Sequence, residues 1–232
     1  SANHGMKSKL RNLYYSVAGN KYIRSFFQSY FSNSVTILMY HRVLSEIQMN
    51  WHPFISNGIS ISTDYFEEHI RYIRENYRVL TLDDYVTRNF IDEKKPPVII
   101  TFDDGYKDNL LNALPILRKY KIPAVIYVVT RFMEGDTSMW WYELDEICTT
   151  RQNIEFEWRG KKHSFILRNI GERQKCFRIL RNLAVRHDLE DQKLLMERVR
   201  GNSKGKSYDD FVLNWNDVIK LDKEELITIA AH

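Results

Sequence analysis

At 232 residues and 44% hydrophobic, the chain is long enough to bury one sizeable core and short enough to be a single barrel-sized domain. Its 34 basic and 30 acidic residues leave a net charge of only +4, which implies no polyanionic partner, and no RNA- or DNA-binding motif accompanies it, so no nucleic acid is expected. The two cysteines, Cys148 and Cys176, lack Cys-x-x-Cys spacing and read as reduced thiols, not as a zinc or disulfide framework.

Residues 1–5, ahead of Met6, read as an expression remnant. Residues 6–33 read as an N-terminal helical segment, since Leu10, Leu13, Tyr14 and Val17 and then Tyr22, Ile23, Phe26, Phe27 and Tyr30 fall at helical spacing. Such a basic, aromatic segment can touch an acidic membrane surface peripherally, but packing of its apolar stripe on the domain is the commoner use. Polar residues interrupt every apolar run that could form a signal-peptide core or a span, so a cytoplasmic protein is expected, the alternative being export with the signal already removed.

The domain proper covers 34–232. A first strand is expected over Val35–Tyr40, with His41 at its C-terminal end. A helix follows over Thr63–Tyr77 with Phe66, Ile70 and Ile73 as its buried stripe, and then a short strand near Arg78–Leu82. His52 and His69 are expected to be structural or solvated.

The stretch Pro97-Val98-Ile99-Ile100-Thr101-Phe102-Asp103-Asp104-Gly105-Tyr106 organises the chain. A short β-branched and apolar run between Pro and Gly is the pattern of a central strand covered on both faces. Leu110, Leu111, Leu114 and Leu117 then recur at helical spacing, and Ile122–Val129 is a second apolar run, so the unit is βαβ. Groups just past the C-terminal end of such a strand are where α/β folds carry chemistry. Two adjacent carboxylates there raise one another's pKa, and sharing a cation relieves them: one can hold the ion while the other stays free as a base. Asp83-Asp84 and Asp209-Asp210 also occur, but the first reads as a helix-start pair and the second as part of a polar loop.

Beyond Val129, Met139-Trp140-Trp141-Tyr142 starts an aromatic-rich helix, for which core packing is favoured over a sugar-stacking platform. Ile154–Trp158, a turn at Arg159–Lys162 and Ser164–Leu167 form a hairpin, and residues 172–200 are helical, so 151–212 reads as an inserted cap. Trp215 to Leu226 reads as a helix, and Ile227–Ala231 as a strand ending on His232.

Thr101-Phe102-Asp103-Asp104-Gly105-Tyr106 resembles the first motif of the polysaccharide deacetylases, the NodB-homology or carbohydrate esterase family 4 enzymes. Leu38–Val43, Leu114–Ala124 and Trp215–His232 resemble further segments of the same family. The resemblance implies an α/β fold, an incomplete, distorted (β/α) barrel with a helical and hairpin insertion, in preference to an open doubly wound sheet. It also implies removal of acetyl from an N-acetylated sugar in a polysaccharide, glycan precursor or envelope glycolipid, with a divalent metal ion, most simply zinc. By the same resemblance Asp103 is the general base on a metal-bound water, whose pKa the ion lowers to about 7, while Asp104 and His232 hold the ion. His232 matches the first of two motif histidines four residues apart. The second, and the family's later motifs, are not in this sequence, so the expectation is a fragment of a longer product, inactive and weakly metal-binding alone. His41 and Tyr106 are candidates for the substrate cleft, His41 chiefly as a hydrogen-bonded support of the mouth and Tyr106 with a packing role as its equal alternative. Two other classes stay open: a carbohydrate-binding pseudoenzyme, and a magnesium-dependent phosphoryl- or glycosyl-transfer enzyme, the latter lacking a visible phosphate cradle.

Overall fold

The computed structural model describes residues 34–88, 95–136 and 139–232; the expression remnant and the N-terminal helical segment expected over 6–33 lie outside them. In chain order the strands are β1 Thr36–Tyr40, β2 Arg42–Leu44, β3 Ser60–Ser62, β4 Arg78–Val79, β5 Pro97–Phe102, β6 Ala124–Val128, β7 Asn153–Trp158, β8 Lys161–Ile166 and β9 Ile227–Ala231. Five of them form one parallel sheet in the order β1-β5-β6-β9, with β4 paired to the first residues of β5. All six residues of β5 are buried, as an apolar strand between two layers requires. Among the described residues β1 and β9 are the open edges of the arc, so the architecture is an α/β, incomplete barrel.

Register decides where the chemistry sits. Tyr40 pairs with Phe102, Phe102 with Ile126, and Val128 with Ala231. β1 and β5 therefore finish level, β6 and β9 finish level two residues further on, and His41, Asp103 and His232 each follow the last residue of a strand at the C-terminal edge. The ladder runs one bond further on each side: Asp103 N–H donates to the Tyr40 carbonyl at 2.9 Å and His232 N–H to the Val128 carbonyl at 3.0 Å.

Local chemistry accounts for the helices around the sheet. Thr63–Asn76 starts on the Ser62 side-chain cap and buries Phe66, Ile70 and Ile73. Asp83-Asp84 begins the Leu82–Val86 helix, where Thr81 and Asp84 make a capping box. After the acid pair the expected α-helix opens as a π-helical turn over Asn109–Ala113 and becomes α-helical only over Leu114–Tyr120. Pro115 is the physical reason: it has no N–H to offer the carbonyl four residues back, so the preceding ladder widens. Leu110, Leu114 and Leu117 face the sheet core, while Leu111 is exposed. The last helix, Trp215–Asp222, stops short of the expected Leu226.

Two principal cores result. One joins β5, β6 and β9 to the flanking helices through Phe66, Ile100, Phe102, Leu117, Ile126 and Leu221. The other joins the antiparallel β7–β8 hairpin to the helices Ile170–Ala184 and Leu189–Arg200. This second core also takes in Phe132, Met139, Tyr142, Leu144 and Cys148, so by packing the cap begins before residue 151. Its Trp140–Thr150 helix turns Tyr142, Leu144, Ile147 and Cys148 towards the cap core. Cys148 and Cys176 are both free and buried there. No helix among the described residues is long and apolar enough to cross a membrane.

Candidate active site

The acid turn is a forced reversal held at both ends. Asp104 has φ +71° and Gly105 φ +66°, two successive left-handed residues, a conformation that costs a non-glycine side chain and persists only where the surroundings fix it. Before the turn, the Asp103–Tyr40 backbone bond holds it to the sheet. After it, the Leu213 N–H donates to the Gly105 carbonyl at 2.9 Å, and Tyr106 bridges Val212 in antiparallel fashion. Gly105 is also required by space: a Cβ there would lie 3.2 Å from Val128 Cγ1 and 3.3 Å from Val128 Cα.

The two acids and the last histidine converge. His232 Nε2 lies 3.9 Å from Asp103 Oδ2 and 3.8 Å from Asp104 Oδ1. Burial pushes the Asp104 carboxyl above its ordinary value, His41 and His232 pull it down, and Asp103 adds a smaller upward push. Burial, more than the neighbouring like charge, is thus the main perturbation. That His41 acts on Asp104 at all places it on the same mouth, and its carbonyl accepts from Asn109 Nδ2 at 2.9 Å.

A divalent ion suits this donor set in part. The separation between Asp104 Oδ1 and His232 Nε2 is beyond hydrogen-bond range but shorter than two metal–ligand bonds of about 2.0–2.2 Å laid end to end. His232 is almost equidistant from both acids, so the geometry admits either carboxylate beside it. Among the described residues no group of three or more His, Cys, Asp or Glu is spaced to hold a metal.

Tyr106 does not line the mouth. It is 1% exposed and packs in the cap core, because the left-handed turn sends the chain back beneath the sheet edge; of its two expected roles it has the packing one. Beside it lies a buried network that sequence reasoning missed. Arg42 Nε donates to Asp108 Oδ2 at 2.8 Å, Arg42 Nη1 donates to the Tyr142 hydroxyl at 2.9 Å, and the Val43 N–H donates to Asp108 Oδ1 at 2.7 Å. The Arg42 guanidinium sits 4.8 Å from the ring centres of both Tyr106 and Phe211. This hub ties the segment carrying His41 to the segment carrying the acids, and both to the cap. The available signal was a charged residue inside the run Tyr40-His41-Arg42-Val43-Leu44: an arginine in a buried strand requires a partner.

Two further histidines pack beside aromatic rings. His52 packs edge-on against Tyr142 and Phe211, and burial lowers its pKa to about 4. His69 Nδ1 is 3.3 Å from the Tyr40 hydroxyl.

Residues 91–201 match the family model described as polysaccharide deacetylase. The Bacillus subtilis protein YxkH, named as a polysaccharide deacetylase, is 35% identical over 97 residues, 40% of this chain and 31% of that protein. The poly-beta-1,6-N-acetyl-D-glucosamine N-deacetylase of Staphylococcus aureus is 29% identical over 160 residues, 63% of this chain and 53% of its own length. Among solved structures, a de-N-acetylase from Aggregatibacter actinomycetemcomitans aligns with a TM-score of 0.46 at 16% identity, covering 85% of this chain and 54% of that one. The chain spans about half, or less, of the length of the curated relatives it matches.

Proposed function

We propose, from the match of residues 91–201 to the polysaccharide deacetylase family, that the acid turn serves hydrolysis of the N-acetyl group of a sugar within a polysaccharide. The observation that carries the reading is the convergence of Asp103, Asp104 and His232 at one edge of a parallel sheet, where α/β folds place their reacting groups.

In this reading Asp104 and His232 would hold a divalent ion, most simply zinc, with at least one further ligand, and such an ion would supply Lewis acidity at the mouth. Asp103 takes a proton from the attacking water as its oxygen bonds to the carbonyl carbon. The carbon–nitrogen bond then breaks, acetate leaves, and the nitrogen recovers a proton to depart as the amine. The backbone bond to Tyr40 fixes Asp103 while this happens. A family relative is named for poly-beta-1,6-N-acetyl-D-glucosamine, which makes β-1,6-linked N-acetylglucosamine oligomers the first substrates to try.

The test measures bound zinc and acetate release together in the complete gene product. Asp103→Asn should keep the metal and lose most acetate release, whereas Asp104→Asn should lose both. Equal metal loss in the two variants would overturn the division of roles. Metal retained by the parent without acetate release from any N-acetylated oligomer would favour a carbohydrate-binding protein instead. The chain by itself offers two of the ligands, so it is expected to give up zinc on dialysis.

A further inference from the structure

The cap has a cleft of its own. About 270 Å3 of space opens between the Trp140–Thr150 and Leu189–Arg200 helices, with Trp140, Trp141, Met196 and Tyr208 among its walls. That is close to the small end of ligand sites, with room for roughly one sugar ring.

The aromatic run that opens this helix divides between two tasks. Met139 and Tyr142 are buried in the cap core, whereas Trp140 and Trp141 are half-buried and meet edge to face at 5.7 Å in the wall of the cleft. Both pack against the cap core and also border the cleft, where indole faces can match the C–H faces of a pyranose. Tyr208 adds a polar anchor. It is 5% exposed, yet its hydroxyl has no hydrogen-bond partner among the described residues. Buried hydroxyls are almost always paired, and this one belongs to a side chain of the cleft wall, where a ligand hydroxyl could supply the missing partner.

Charge selects the ligand class. Of the four cations in the lining, Arg131 pairs with Asp136 at 3.5 Å, Lys206 with Glu146 at 2.7 Å and Arg200 with Glu143, while Lys193 stands one helical turn before Glu197. Positive and negative side chains are nearly balanced in the lining, four cations against Asp136, Glu143 and Glu197, so neither an anion nor a metal cation is favoured. What the walls offer is aromatic surface, one unpaired hydroxyl, and donors and acceptors of both signs. A neutral polyhydroxyl ring satisfies that combination.

We propose that this cleft is a saccharide-binding subsite of the cap, separate from the acid turn. Its position suits a polymer held at two points. Only the residues from Tyr208 to Val212, at most about 14 Å of chain, separate the cleft wall from the strand bridge that Val212 makes to Tyr106 beside the acids. The subsite goes beyond the deacetylase reading and does not require the acid turn to be catalytic.

The experiment is calorimetric titration of the full chain with β-1,6-linked N-acetylglucosamine tetramers, with saturation-transfer NMR on the sugar protons as a second readout. Tyr208→Phe, which removes one oxygen and no packing volume, should weaken binding about three- to tenfold. Trp140→Ala should weaken it about tenfold or more. The double variant Asp103→Asn, Asp104→Asn should still bind within about twofold of the parent. If Trp140→Ala fails to fold by circular dichroism, Tyr208→Phe decides alone. The proposal is overturned by parent-like affinity in the cleft variants, by complete loss of binding in the acid double variant, or by absence of heat and saturation transfer at millimolar sugar. Loss of acetate release with cleft binding intact counts against the deacetylase reading and leaves the subsite standing.

Discussion

The sheet core and the cap junction use opposite means of holding their parts together. In the sheet, charge is kept out: β5 is apolar apart from Thr101, all of it is buried, and acids appear only where the strand ends. Where the cap meets the sheet, charge is built in. Arg42 is 8% exposed and Asp108 4%, and Asp145, on the cap's first long helix, is 0% exposed and accepts from the Ile55 N–H at 2.7 Å. Apolar burial is non-directional and tolerates exchange among residues of similar volume. Hydrogen-bonded charges are directional, so they can set the angle between two bodies. The acid turn lies at the border between these regimes, with the sheet holding Asp103 and the junction holding the chain on either side of it.

The largest expected effect breaks the junction. Asp108→Ala strands the Arg42 guanidinium in a buried site, and removing one partner of such a pair costs about 3–5 kcal/mol. Urea unfolding should show that loss, and a change below about 1 kcal/mol would put the junction in the class of surface pairs. Replacing both charges, Arg42→Met with Asp108→Leu, should recover much of the stability, since an apolar pair of similar size is often neutral. If the acid turn depends on directional bonds, uptake of a divalent cation by the complete protein should be weaker in this double variant than in the parent although stability returns.

A pH series sharpens the same contrast. Burial raises the Asp145 pKa from 3.8 to about 6, against the pull of its bonds from Ile55 and Thr149. A carboxyl whose folded pKa is raised favours the fold when protonated, so its contribution is fully present below about pH 4 and is lost as pH rises through about 6. Asp145→Asn should remove this decline. The parent's stability relative to the variant should therefore fall by about 2–3 kcal/mol between pH 4 and pH 7; parallel curves for the two proteins would show that Asp145 does not titrate in that window.

The smallest effect compares one glycine from each region. Gly105 and Gly160 both have positive φ, +66° and +74°, but a Cβ at Gly105 meets Val128 while a Cβ at Gly160 meets nothing within 4 Å. Gly160→Ala, in the hairpin turn of the cap, should cost about 1 kcal/mol through the left-handed conformation alone. Gly105→Ala should cost about 1–2 kcal/mol more, because Val128 is held in β6 and cannot easily give way. Thermal unfolding of the two variants gives the difference directly, and equal costs would mean that the sheet edge yields as readily as a surface turn.

Much of the sheet was legible because its signals are local. The β-branched run from Pro97 to Phe102 can be satisfied only by burial on both faces. The acid pair follows it directly, so one strand assignment places both carboxylates at the C-terminal edge. The turn at Arg159-Gly160 and the Thr81–Asp84 cap belong to the same class, since partners within a few residues meet whatever the rest of the chain does. The Arg42–Asp108 pair spans 66 residues, and no periodicity reports it. The same holds for Tyr106: next to the acids in sequence, it was a candidate for the mouth, and only the left-handed turn at Asp104-Gly105 and the return of Val212 carry it into the cap core. The sequence alone determined the principal strands of the main sheet and which acids stand at the end of β5, because propensity and burial act residue by residue. The tertiary structure decided which side chains meet across the ends, since a buried charge or an uncovered indole acquires its role only from the groups that distant parts of the chain bring beside it.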